Sequence, residues 1–262
     1  MNRDSPSRAT AVLTPEWPAP GNVHAVFTLR GGGVSAPPFD SLNVGAHVGD
    51  EVQAVEQNRR LIRAALRLPA EPVWMEQVHG VEVLDLDVEV AQGDAANAGI
   101  PSADAAITRS AGRVCVVQVA DCLPVLLAAR DGSAVAAAHA GWRGLAAGVL
   151  EATVRRLGVE PARLIAWLGP GIGAAHFEVG EEVRSAFVAQ DAAAARAFRG
   201  NPRGRWQCDL VILARARLAA LGVTAVFGGE WCTYADAARF FSYRRDGRCG
   251  RMAALIWREQ RP

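Results

Sequence analysis

The sequence predicts an α/β fold in one compact domain. Its 262 residues, half of them hydrophobic, are enough for one sizeable core. Short apolar runs bounded by Gly and Pro are interleaved with stretches of helical period, and no Pro- or Ser-rich linker separates them. The domain therefore runs over residues 23–262, behind a flexible arm, 1–22, that is rich in Pro, Ser and charge and lacks a signal-peptide core. With 28 basic and 27 acidic residues, nothing draws the chain as a whole to nucleic acid or an anionic membrane. Anion binding must be local. Five widely spaced cysteines, an odd number, point to a reducing cytoplasm rather than a disulfide framework. The longest apolar run, 114–129, is interrupted by Gln118, Asp121 and Pro124 and is too short to span a membrane, so a soluble protein is expected.

Taken in order, VHAVFTL (23–29) is a first strand, and the Gly- and Pro-rich stretch up to Asp50 is a long loop, the kind that carries function. Asp50 is expected to cap a helix over 51–67, with Gln53 at the capping-box position and Val52, Val55, Ile62 and Leu66 on one stripe. Residues 72–86 predict two strands broken at His79-Gly80, followed by a polar loop at 91–102 and a short strand at 103–108. The run 114–129 and AVAAA flank Asp131-Gly132, which reads as a tight turn between antiparallel strands. That hairpin brings Cys122 near His139. A helix is expected from Gly141 to Gly158, buried along Leu145, Val149, Leu150, Val154 and Leu157, with a start suited to anions. LIAWLG is a buried strand, Val179 to Val188 a helix, Asp209 the cap of a helix to Ala220, and TAVFG a strand. The Arg-rich end closes onto a last strand at 252–257.

Cys122 and His139 at one end of a rigid hairpin suggest either a metal site or a nucleophile with its base, against the plainer reading of a buried thiol and a core histidine. His79, at a break, is a third donor, and His79, Cys122 and His139 together would make an N₂S zinc set with an open position. Their spacing matches no zinc motif. His47 competes from the long loop, while five histidines are too few for a multicopper oxidase, which ranks copper below zinc. GPGIG is neither a Rossmann nor a Walker loop, and the zinc-deaminase signature is missing. Of the arginines at the end of the chain (Arg239, Arg244, Arg245, Arg248, Arg251), most read as surface, with Arg244 the one expected to reach inward.

FDSLNVGAHVGD, PVWMEQVHG, ADCLPVLL, AAAHAGWRGLAAGVL, AWLGPGIG, HFEVGEEV and CTYADAARFFSYRRDGRCGRMAALIW together resemble the bacterial YfiH family, over about residues 23–258. This family is also called laccase-domain or polyphenol-oxidase-like proteins and peptidoglycan editing factors. The resemblance implies a compact domain of mixed sheets with flanking helices, similar to a toxin deamidase. It also implies zinc-dependent purine nucleoside chemistry: phosphorolysis of adenosine, inosine and methylthioadenosine, and deamination of adenosine. His79, Cys122 and His139 match the family's zinc ligands. Ala235 replaces a cysteine of some members, and the turn at Gly31–Gly33 has an extra glycine; neither touches the ligands.

On this reading Cys122, His139, Asp121 and Glu76 are the catalytic candidates, the last two as acid/base groups with equally good salt-bridge roles. Asn43, Arg59, Arg143 and Arg244 are the substrate-binding candidates for purine nucleosides and phosphate. Three alternatives stand beside it: a metal-free Cys122–His139 amidase or deamidase, a cell-wall-precursor editing protein without turnover, and a polyphenol oxidase.

Overall fold

The computed structural model describes residues 12–89 and 100–260. Its first half holds strands Val12–Leu13 (β1) and Val23–Thr28 (β2), helix Val52–Leu66 (α1), strand Val83–Asp85 (β3), helix Leu86–Glu89 (α2) and strand Ala105–Thr108 (β4). Strands Val114–Val119 (β5), Leu123–Ala129 (β6) and Val135–Ala140 (β7) follow, then helices Trp142–Ala147 (α3) and Val149–Leu157 (α4). The remainder comprises Leu164–Leu168 (β8), Glu178–Val179 (β9), Glu181–Val188 (α5), Phe198–Gly200 (β10), Trp206–Cys208 (β11), Leu210–Leu221 (α6), Ala225–Gly228 (β12), Tyr243–Asp246 (α7) and Met252–Arg258 (β13).

Two main sheets stack face to face. One is mixed, in the order β12-β8-β6-β7-β4-β3, and the other is β1-β2-β13-β5 with every pairing antiparallel. Between them pack Phe27, Cys115, Val117, Ala254 and Ile256 from one sheet and Leu126, Val135, Ala137 and Trp167 from the other. Leu127, Ala136 and Ala138 on the far face of the mixed sheet meet Val149, Leu150, Leu157 and Leu213 of α4 and α6. Ile62 of α1 covers Val114, Val116 and Leu255 on the outer face of the second sheet. The result is α/β in four layers. Because both faces of β6 and β7 are covered, their sequences are apolar without alternation, broken only by His139 near the end of β7.

The hairpin forms as expected. Gly132 takes φ +65°, and Asp131 accepts hydrogen bonds from the amide and hydroxyl of Ser133. Asp209 caps α6 by accepting from the Ile212 amide at 3.0 Å.

Several expectations change. Glu51, not Asp50, sits at the N-cap of α1 without a side-chain bond, while Asp50 accepts from Ser35 and Asn43. Val52 is 59% exposed, and the buried stripe of α1 is Val55, Asn58 and Ile62. Residues 72–86 yield one strand, β3, and a single bridge from Glu76 to Ser102. The helix after Gly141 breaks at Gly148, whose φ of +102° no α-helix accommodates, so α3 has only six residues. Val12 and Leu13, within the expected arm, pair with Thr28 and Phe27 as β1. Most of the expected 91–102 loop lies outside the described residues.

Candidate metal centre and its cavity

β6 and β7 are in register with Leu123 opposite Ala140 and Pro124 opposite His139. Cys122 therefore leaves the hairpin level with the end of β7, beside His139. His79 comes to the same point from the 73–80 segment, and one ligand atom from each of the three lies within 4.8 Å of the others. Cys122 Sγ is 3.7 Å from His79 Nε2, and the two imidazoles meet edge to face at 4.8 Å between centroids.

A group the sequence reading missed holds His79 in place. Asp104, fully buried just before β4, accepts hydrogen bonds from the amides of Val78 (3.2 Å), His79 (2.9 Å) and Gly80 (2.6 Å). His79 adopts φ +61°, a region His tolerates better than most side chains, which helps three successive amides converge on one carboxylate. The same carboxylate is 2.8 Å from His139 Nδ1. That contact orients the ring with Nε2 toward Cys122, the arrangement that carboxylates impose on metal-binding histidines. Two glycines complete the fit: a Cβ on Gly141 would lie 2.8 Å from Cys122 Sγ, and one on Gly144 would lie 2.9 Å from the Gly80 carbonyl.

The electrostatics follow from this packing. Burial works against ionisation of Cys122, but the charge and hydrogen bond of His139, with help from His79, outweigh it and hold the thiol at about 6. Burial likewise works against protonation of His139, and the Cys122 thiolate and Asp104 outweigh it, raising the imidazole to about 9. Burial raises Asp104, yet hydrogen bonds from His139 and the Gly80 amide leave its carboxyl below the ordinary value. Two nitrogens and a thiolate, one imidazole already oriented by a buried carboxylate, suit a divalent cation of zinc type. The donor set therefore fits a metal.

The cluster lines a cavity of about 520 Å³. Asp121, Arg143 and Arg244 also line it, together with Trp142, Phe177 and Tyr243. Arg143 makes no hydrogen bond or ion pair among the described residues and lies 4.5 Å over the Trp142 ring. Arg244 donates to the Glu178 carbonyl and covers Phe177. Asp121, at φ +89°, uses both carboxylate oxygens: one accepts from Thr233 Oγ1 and the other from the Arg244 amide, each at 2.6 Å.

Asn43, Arg59 and Glu76 do not line the cavity. Fully buried Asn43 accepts from the amides of Gly45 and Arg251, and Arg59 donates twice to the Val44 carbonyl while stacking on Trp74. Glu76 is exposed and contributes its backbone to the bridge with Ser102. His47, the competing histidine of the long loop, also lines the cavity, as does Arg251. A lone Asp preceding an apolar strand was the one available signal for Asp104.

Fold and site define an α/β single-domain protein with one His–Cys–His donor cluster on an open cavity. The family model for multi-copper polyphenol oxidoreductase laccase matches residues 24–259, and the chain belongs to that family, whose members include proteins named YfiH. A Pseudomonas aeruginosa relative named purine nucleoside phosphorylase is 55% identical over 250 residues, covering 94% of this chain and 98% of its own. Purine nucleoside phosphorylase YfiH of Escherichia coli K12 is 52% identical over 246 residues, with the same coverage of 94% and 98%. The crystal structure of a Neisseria meningitidis protein superposes with TM-score 0.89 at 46% identity, covering 95% of this chain and 99% of that one. That of the hypothetical protein YfiH from Bacillus licheniformis superposes with TM-score 0.86 at 30% identity, covering 98% of both chains.

Proposed function

We propose that this chain is a zinc-dependent purine nucleoside phosphorylase acting on adenosine, inosine and methylthioadenosine, with hydrolytic deamination of adenosine as a second activity. The observation that carries the reading is the His79–Cys122–His139 cluster in one cavity with Arg143, a cation without a polar partner among the described residues. The names of the relatives support the phosphorylase part. When bound, zinc supplies Lewis acidity at the reacting centre.

The chain's own residues set out the rest. Arg143 and Arg244 hold phosphate, whose oxygen attacks ribose C1′ as the C1′–N9 bond breaks. The bonding electrons leave with the purine, which takes up a proton, and ribose 1-phosphate remains. Phe177, Trp142 and Tyr243 offer faces for base and sugar. Asp121 acts here by fixing Arg244 and Thr233, because both its oxygens already accept hydrogen bonds. In deamination, water replaces the C6 amino group and ammonia leaves. An oxidase with several copper centres fits less well, because only one group of three or more donors exists among the described residues.

The test is to incubate metal-quantified, zinc-loaded protein with adenosine or inosine and phosphate. Ribose 1-phosphate from both and inosine from adenosine are expected; zinc-loaded protein that forms neither overturns the reading.

A second reading has its own support, since a Cys122 thiol held at about 6 beside His139 also suits a metal-free nucleophile. His79→Ala separates the two. It removes the metal and the phosphorolysis in the first reading, and spares amide hydrolysis in the second.

A further inference from the structure

We propose that Arg251, with His47 beside it, forms a subsite for a phosphoryl oxyanion in this cavity, in addition to Arg143 and Arg244. The identity of its ligand rests on the nucleoside and phosphate reading above; its existence rests on how Arg251 is built.

Most arginines of the last loop spend their guanidinium on the protein. Arg245 donates to the carbonyls of Thr233, Tyr234 and Phe240 and pairs with Asp246, Arg239 pairs with Asp236, and Arg248 donates to the Gly49 carbonyl. Arg251 is different. Its amide donates to Asn43 Oδ1 at 2.8 Å, and Asn43 is itself fixed by Asp50 Oδ2 at 2.8 Å. Its aliphatic stem runs where Gly45 has no side chain, since a Cβ there would lie 2.7 Å from Arg251 Cγ. Its Nη1 donates to the carbonyls of Cys249 (3.0 Å) and Gly250 (3.1 Å). Its hydrogen bonds are thus confined to the amide and Nη1, its guanidinium carbon lies 5.9 Å from the Tyr243 ring centroid, and Nε and Nη2 have no hydrogen-bond partner among the described residues.

That free edge is the pair of parallel N–H groups with which Arg grips two oxygens of a phosphate or carboxylate. Asp121 is the one carboxylate among the lining residues, against three arginines, and each of its oxygens is turned to a hydrogen bond from Thr233 or the Arg244 amide. His47 adds a ring with no hydrogen-bond partner among the described residues. Burial, followed by the charges of Arg251 and Arg59, holds it below the ordinary imidazole value, so it offers an N–H without adding repulsion. A phosphoryl group, with more oxygens than a carboxylate, can occupy the guanidinium edge and the imidazole together. It could come from inorganic phosphate or from the 5′-phosphate of a nucleotide.

The test is calorimetric titration of the full-length, zinc-loaded chain with phosphate alone, adenosine 5′-monophosphate alone and adenosine alone, for wild type, Arg251→Gln, Arg251→Lys and His47→Gln. Arg251→Gln is expected to weaken phosphate or the monophosphate at least tenfold and adenosine less than twofold. Loss of phosphate binding identifies the free ion as the occupant; loss confined to the monophosphate identifies the nucleotide. Arg251→Lys, which keeps the stem and one donor, should lose at least threefold and serves as the decisive variant if Arg251→Gln does not fold. His47→Gln should lose about threefold. The subsite is refuted if wild type binds neither anion, or if the folded Arg251 variants bind both within twofold of wild type. Binding is read without turnover, so an inactive wild type that still shows the Arg251 effect sinks the phosphorylase reading and leaves the subsite standing.

Discussion

Cys122 and His139 reach the centre from a hairpin whose two strands are buried on both faces, whereas His79 reaches it from a segment with a single bridge to the rest of the fold. Ladder hydrogen bonds fix the first pair; a buried carboxylate and a glutamine side chain fix the third. The contrast shows two ways of making a rigid site, one by repeating backbone pairing and one by concentrating backbone donors on Asp104. The two parts then share one fastener, because Asp104 also holds His139.

The hairpin side should be the more sensitive chemically. Cys122→Ala removes the one thiolate and leaves two imidazoles, too few for the tetrahedral set that zinc prefers. Loss of stoichiometric zinc, by elemental analysis, and of phosphorolysis by more than the roughly 100-fold typical of an outer-shell change are expected, with the far-UV spectrum unchanged. A variant that kept its zinc would show that the hairpin does not dominate the centre.

Asp104→Asn strikes the fastener itself. Metal affinity should fall about 10- to 100-fold, because an amide cannot orient His139 as a carboxylate does. Stability of the metal-free protein should fall by about 1–3 kcal/mol, since the buried His139 keeps the Cys122 thiolate but loses its second counter-charge. The pH dependence carries a sign. The Asp104 carboxyl is held below its ordinary value in the folded protein, so its stabilisation is present above about pH 4 and disappears as the pH falls through the folded value. Acid unfolding of the metal-free wild type should show that slope, and Asp104→Asn should lack it.

At the junction of the two parts, Gly141→Ala would place a methyl 2.8 Å from Cys122 Sγ and 3.0 Å from His79 Cδ2. The backbone there has φ −63°, so alanine is not strained and the effect is purely steric. Zinc affinity should drop about tenfold, a difference of about 1.4 kcal/mol, within the range for overpacked sites. Gly31→Ala, whose added Cβ meets nothing within 4 Å, is the matched control and should leave affinity unchanged.

This division also sets what was legible in the sequence. The hairpin was readable because an Asp-Gly turn between apolar runs implies both strand direction and register, which placed Cys122 beside His139. His79 could be named as a donor but not placed by pattern, since a positive-φ histidine held by a distant aspartate leaves no periodicity. Of the two strands expected over 72–86 only the second forms, as β3, and side-chain bonds hold much of the first. Arg59 and Asn43 show the reverse error. Both were candidates for ligand contact, whereas the structure gives Arg59 to a carbonyl and a Trp ring and Asn43 to Arg251. Sequence spacing has no means of distinguishing a polar group that meets a ligand from one that holds its neighbour.

Gln77 gives the smallest and most discriminating test. Its side chain imitates a strand partner at the edge of β5, accepting from the Gln118 amide at 2.7 Å and donating to the Gln118 carbonyl at 2.8 Å. Gln77→Ala leaves those two partly buried backbone groups without protein partners. If Asp104 alone determines where His79 stands, the loss should stay with stability, about 1–3 kcal/mol, with zinc affinity within about threefold of wild type. If the substitute for a ladder also matters to the centre, affinity should fall about tenfold, nearing that of Gly141→Ala. We expect the first outcome, because the three amides on Asp104 lie nearer in sequence to His79 than Gln77 does and include its own. Denaturant midpoints set against zinc affinity in the same variant decide between the two.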